Sequence, residues 1–82
     1  MSNIQLDDVV EWTSQAAGYT RTKVGVVVGL VPVGHLPGGD RFPSLYRGAG
    51  VGMPRDHISY VVRVPGRGVY WPVAKKLRKV QP

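Results

Sequence analysis

ISYVVRVPGRGVYWP, residues 58–72, decides how this chain is read. Ile58, Tyr60, Val62 and Val64 alternate with Ser59, Val61 and Arg63, the period of two that belongs to a strand. Pro65-Gly66-Arg67-Gly68 is a turn by composition, so Val69-Tyr70-Trp71-Pro72 is expected to return antiparallel to the first run as a hairpin. Alternation puts Tyr70 and Trp71 on opposite faces, with one of the two partly exposed. Towards the C-terminus, residues 73–76 suit a single helical or 3₁₀ turn after Pro72, and residues 77–80 a last short strand.

Working towards the N-terminus, residues 23–31 form the strongest strand, with Val24, Val26, Val27, Val28, Leu30 and Val31 interrupted by Gly25 and Gly29. Glycine inside a strand marks a bulge or a close backbone approach, the means by which a short sheet curls into a barrel. Residues 8–13, DVVEWT, read as a further strand with Val10 and Trp12 on one face and Val9 and Glu11 on the other. Residues 14–22 are polar around Gly18 and read as a loop. The expectation is an all-β chain: five short strands in one small, partly open barrel, a single domain over residues 1–82.

Composition agrees. The chain has 82 residues, 11 Gly and 7 Pro, so turns are many and long helices few. It has no cysteine, which excludes a disulfide framework and a thiolate metal site. No apolar run approaches the roughly 18 residues of a membrane span, and Met1-Ser2-Asn3-Ile4-Gln5 lacks the charge and apolar pattern of a signal peptide, so a cytoplasmic protein with no membrane partner is expected. The net charge of +6 is uneven: residues 1–20 carry Asp7, Asp8 and Glu11 with no base, which leaves +9 on residues 21–82. Such asymmetry favours anionic partners.

Residues 33–57 stand apart as one long Gly/Pro-rich loop, beyond the roughly 12–15 residues usual for a structureless connection in a compact domain. Loops of this length are binding loops or disordered segments, and the content of Arg41, Phe42, Tyr46, Arg47 and Arg55 points to binding.

An acidic-Val-Val-x-Trp opening, a Gly-punctuated Val strand, a Ser-Tyr-Val-Val-x-Val strand and a Tyr-Trp-Pro strand followed by Lys-Lys-Leu-Arg-Lys-Val together resemble small SH3-like barrels of the Tudor and KOW type. Short proteins of bacteria and their phages are similar in pattern. The resemblance implies a 3₁₀ turn before the last strand, where residues 73–76 lie. Loop 33–57 is far longer than the matching turn of those families, and no aromatic cage for methylated side chains can be matched residue by residue.

Several constellations bear on chemistry. Lys75, Lys76, Arg78 and Lys79 set four positive charges beside Trp71, enough to neutralise phosphates, although a solvated surface is the plain alternative. Gly48-Ala49-Gly50-Val51-Gly52 between Arg47 and Arg55 is able to bring backbone amides and guanidinium forks around a phosphate, or to order only on a partner or second subunit; it is neither a P-loop nor a dinucleotide fingerprint. Asp56-His57 near Ser59 invites a nucleophilic triad, but strand alternation turns Asp56 away from the face shared by His57 and Ser59. His35 and His57 with scattered carboxylates do not make a metal site.

The expected function is a non-enzymatic binding module without cofactor that engages a phosphate-bearing ligand, nucleic acid or a nucleotide. Arg41, Arg47 and Arg55 are the expected phosphate ligands, Tyr46 and Trp71 the stacking residues, His57 a ligand contact, and Lys75, Lys76, Arg78 and Lys79 the source of long-range attraction. The alternatives are a protein-interaction module with loop 33–57 as interface, such as a phage-type inhibitor or counter-defence protein or a homo-oligomer, and a nucleotide sponge.

Overall fold

The structure is a computed structural model that describes residues 4–16, 18–46 and 52–80. Five antiparallel strands make one open sheet in the order β4-β3-β2-β1-β5: β1 Val9–Ala16, β2 Tyr19–Val31, β3 Ser59–Val64, β4 Gly68–Tyr70 and β5 Arg78–Lys79. A 3₁₀ turn, Ala74–Lys76, separates β4 from β5 as expected, and a second one, Pro43–Tyr46, lies within the long loop. No α-helix occurs among the described residues.

The strand β2 is the spine of the sheet. Its first part pairs with β1 from Ala16↔Tyr19 to Val9↔Val26, and its last part pairs with β3 from Val26↔Arg63 to Val31↔Ser59. The change of partner is eased by a register shift between Val27 and Gly29 and by two close approaches that only glycine permits. A Cβ on Gly25 would stand 2.5 Å from the Arg63 carbonyl oxygen and 2.7 Å from a Val62 methyl; one on Gly29 would meet the Phe42 ring at 2.8 Å. The curled sheet wraps a core of Ile4, Val10, Trp12, Val27, Tyr60, Val62, Val64 and Leu77, with Tyr70 set edge-on to Trp12 at 5.9 Å between ring centres.

The segment expected as a loop, residues 14–22, is strand on both sides of Gly18. Here β1 and β2 run past the core as a two-stranded ribbon, in which Tyr19, Thr20, Arg21 and Thr22 are all exposed. With neither face of β2 buried there is no apolar alternation to read, and the β-favouring Tyr19, Thr20 and Thr22 were the remaining signal. The expected strand at residues 69–72 starts at Gly68 and stops at Tyr70, and the expected last strand is reduced to two residues.

Both faces of β3 are buried except at Arg63. Tyr60, Val62 and Val64 look into the core, while Ser59 and Val61, each 0% exposed, look outwards and are covered. Trp71 meets Ser59 through its indole N–H, and loop 33–57 packs on the sheet at Gly29, beside Val61. Phe42 sits on Gly29, its amide donates to the Gly38 carbonyl, and the Tyr46 hydroxyl donates to the carbonyl of Pro37. Burying Val61 on this outer side is worth about 1.5–3 kcal/mol.

Substituting Gly25→Ala forces a Cβ into the β3 backbone, where no side chain is able to yield. A loss of roughly 1–3 kcal/mol is expected from such overpacking, read as a melting temperature lower by about 4–8 °C per kcal/mol in a domain of this size. An unchanged melt would mean that β2 and β3 do not approach this closely.

Candidate functional site

The residues singled out in the sequence fall into three groups. The first is structural in its contacts. The Arg55 guanidinium lies flat on the Trp71 ring, 3.7 Å from its centre, and donates to the carbonyls of Trp71 at 2.9 Å and Pro72 at 2.8 Å. Trp71 in turn donates its indole N–H to the buried Ser59 hydroxyl at 2.8 Å. Partial burial pulls the Arg55 pKa down from the usual guanidinium value. Stack and hydrogen bonds together fasten the end of the long loop to the chain that leaves β4, and one face of Trp71 is occupied. Arg41 is turned back on the protein as well, over the Phe42 ring at 5.1 Å and 3.3 Å from the Val28 carbonyl oxygen. Tyr46 is held through its hydroxyl, with its ring against Gly39.

The second group is paired with carboxylates. Arg78 meets Glu11 at 2.8 Å and Lys79 meets Asp8 at 3.4 Å, both across the β1–β5 seam. These are surface pairs worth about 0–1 kcal/mol, yet they spend two of the four cations of the tail on the sheet itself. His57 Nδ1 lies 3.1 Å from Asp56 Oδ1, and this bond, with one from its own backbone, holds the Asp56 carboxyl below the usual carboxylate range. Ser59 is buried under Trp71 and does not join them.

Lys75 and Lys76 form the third group, both exposed on the 3₁₀ turn before β5. Arg47 and the glycine-rich residues 48–51 lie outside the described residues.

The sequence reading passed over a different set of cations. Where the β1–β2 ribbon meets the β3–β4 turn, a cleft of about 280 Å³ is lined by Arg21, Thr22, Lys23, Val24, Val64 and Arg67. It shares Val64 and Arg67 with a shallower hollow of about 430 Å³ along residues 63–69, which adds Arg63. Neither lining contains a carboxylate, and among the described residues no acid pairs with Arg21, Arg63 or Arg67. Lys23 reaches over the Tyr70 ring at 5.5 Å. Since β5 places Arg78 opposite Glu11 and runs antiparallel to β1, the chain before it, with Lys75 and Lys76, extends towards the rung of Trp12 and Lys23. One end of the barrel is therefore a basic rim. The signal for it was the spacing of Arg21 and Lys23 on one strand and of Arg63 and Arg67 around one turn, legible only once residues 14–22 are known to be a ribbon.

The seven aromatic rings are disposed just as unevenly. Trp12, Tyr60 and Tyr70 belong to the core, Phe42 and Tyr46 to the folded loop, and Trp71 to the Arg55 stack. Tyr19, at the tip of the ribbon beside the rim, is 70% exposed.

Among the described residues, no three His, Asp or Glu side chains gather as metal ligands, and no helix is long and apolar enough to cross a membrane. Comparison with protein-family models, with curated proteins and with solved structures finds no match to this chain.

The Arg55 contact generates a test of its own. Arg55→Lys keeps the charge and loses both the planar stack and the fork of donors, so a loss of about 1–2 kcal/mol is expected, in the range of a partly desolvated cation–π contact. Chemical denaturation followed by tryptophan fluorescence reads it. A midpoint equal to that of the unaltered protein would show that Arg55 does not fasten the loop.

Proposed function

We propose that this chain is an SH3-like, non-enzymatic binding module, and that the partner it binds is nucleic acid, held by its phosphates on the basic rim. The order β4-β3-β2-β1-β5, with a 3₁₀ turn between β4 and β5, supports the SH3-like reading. One observation carries the functional reading: Arg21 and Arg67 line a single cleft whose lining holds no carboxylate, while Arg78 and Lys79 elsewhere are paired with acids. Guanidinium forks grouped in this way suit phosphate oxygens bidentately and in number. A rim open to solvent suits a polymer better than a small nucleotide, which requires enclosure on most sides. The loop arginines Arg41 and Arg55, bound to carbonyls and rings, contribute to shaping the outer face, and Lys75 and Lys76 extend the positive field.

The test is fluorescence anisotropy of labelled oligonucleotides across a salt series. With about four phosphates neutralised on a single strand, affinity is expected to fall roughly 50-fold between about 50 and 200 mM salt. The double charge reversal Arg21→Glu with Arg67→Glu removes binding, whereas reversal at Arg78 changes it little. Absence of binding at low salt, or equal binding by the double variant, would refute the proposal; the search would then turn to an acidic protein surface.

A further inference from the structure

We infer that Tyr19 is a base-stacking residue and that the ligand of the rim is single-stranded, with at least one unpaired base lying on the Tyr19 ring. This rests on the nucleic-acid reading above and narrows it to one strand form. Tyr19, Arg21 and Lys23 are alternate residues of β2, opposite Ala16, Ser14 and Trp12 of β1, and so they share one face of the ribbon at steps of about 6.6 Å. Arg21 and Lys23 on that face line the basic cleft. A ring and two cations thus follow one another along a single strand face that leads into the cleft.

Exposure gives the second step. Tyr19 is 70% exposed, and among the described residues it has no hydrogen bond, ring or cation partner, whereas the other six aromatic side chains are buried, bonded or covered. Gly18, with φ of 82°, turns the chain immediately before it and leaves the ring at the ribbon tip. A tyrosine left open to water forfeits the burial that makes aromatic rings useful, and its flat face is suited to meeting another flat surface.

The ligand form follows from geometry. Bases in a duplex are stacked on one another and offer a protein only their edges, so a side-chain ring standing beside phosphate-binding cations finds a π-face only on an unpaired base. Stacking platforms interleaved with cations are the general solution for single strands, because every base has a face and every nucleotide a phosphate. Arg21 and Arg67 then hold the phosphates flanking the stacked base.

The experiment compares wild type, Tyr19→Ala, Tyr19→Phe and the Arg21→Glu, Arg67→Glu double variant on a labelled oligothymidine of about twelve nucleotides and on a labelled duplex. Because Tyr19 is largely exposed, all of its variants should melt with the wild type. Tyr19→Ala is expected to weaken oligothymidine binding by about five- to 150-fold with an unchanged salt slope and unchanged duplex binding, and Tyr19→Phe to bind as the wild type does. If Tyr19→Ala binds oligothymidine as tightly as wild type, or loses single strand and duplex alike, the stacking inference is overturned while loss of binding in the arginine variant still upholds the rim. If the wild type binds neither probe, both fall.

Discussion

The rest of the structure depends on one strand having to serve two partners. At Val26 the strand β2 is bonded to Val9 of β1 on one side and to Arg63 of β3 on the other, and beyond that rung it lets go of one neighbour in each direction. A flat strand of 13 residues cannot do this and still close a core of eight buried side chains. It has to bend, and the bend is bought with Gly25 and Gly29, where missing side chains let β3 and the Phe42 ring come close. The same exchange of partners frees both the ribbon at one end and the outer face of β3 at the other, and these two regions carry the remaining features of the molecule.

At the β3 end, the freed face is apolar and needs a lid. Loop 33–57 supplies one piece of it around Phe42 and Tyr46, and the chain after β4 supplies another in Trp71, held there by Arg55 of the loop. At the ribbon end Tyr19 to Thr22 of β2 are exposed, and polar and basic residues lead from there into the cleft. Charge therefore sorts along the barrel: acids cluster on the β1–β5 seam and in the loop, where Asp8 and Glu11 have basic partners, and the ribbon and the β3–β4 turn keep arginines without acids.

Much of the core was legible in the sequence because it obeys simple periodicity. Val10 and Trp12 against Val9, and Tyr60, Val62 and Val64 along β3, are alternations that survive into the structure. The hairpin around Pro65 and Gly66 and the 3₁₀ turn at Ala74–Lys76 were readable from turn chemistry. What escaped has a common cause. Tyr19 to Thr22 of the ribbon are strand with neither face buried, so their pattern carries no hydrophobic period. The contacts of Arg55 span sixteen and seventeen residues, and no local signal distinguishes an arginine that will lie on a tryptophan from one that will face water. Basic residues were easy to count and hard to assign, since pairing depends on strand neighbours such as Glu11 and Arg78 that lie 67 positions apart.

The two anchors of the long loop also set its tolerance to change. Tyr46 fixes one point and Arg55 another, so residues 37–46 are constrained by what they touch, and the chain between the two anchors starts and ends at held positions. Closure entropy rises slowly with the length of such a bridge, by about 0.6 kcal/mol for each doubling. By closure entropy alone, lengthening between the anchors costs little, while an insertion of a single residue between Pro37 and Phe42 would lift the ring from Gly29.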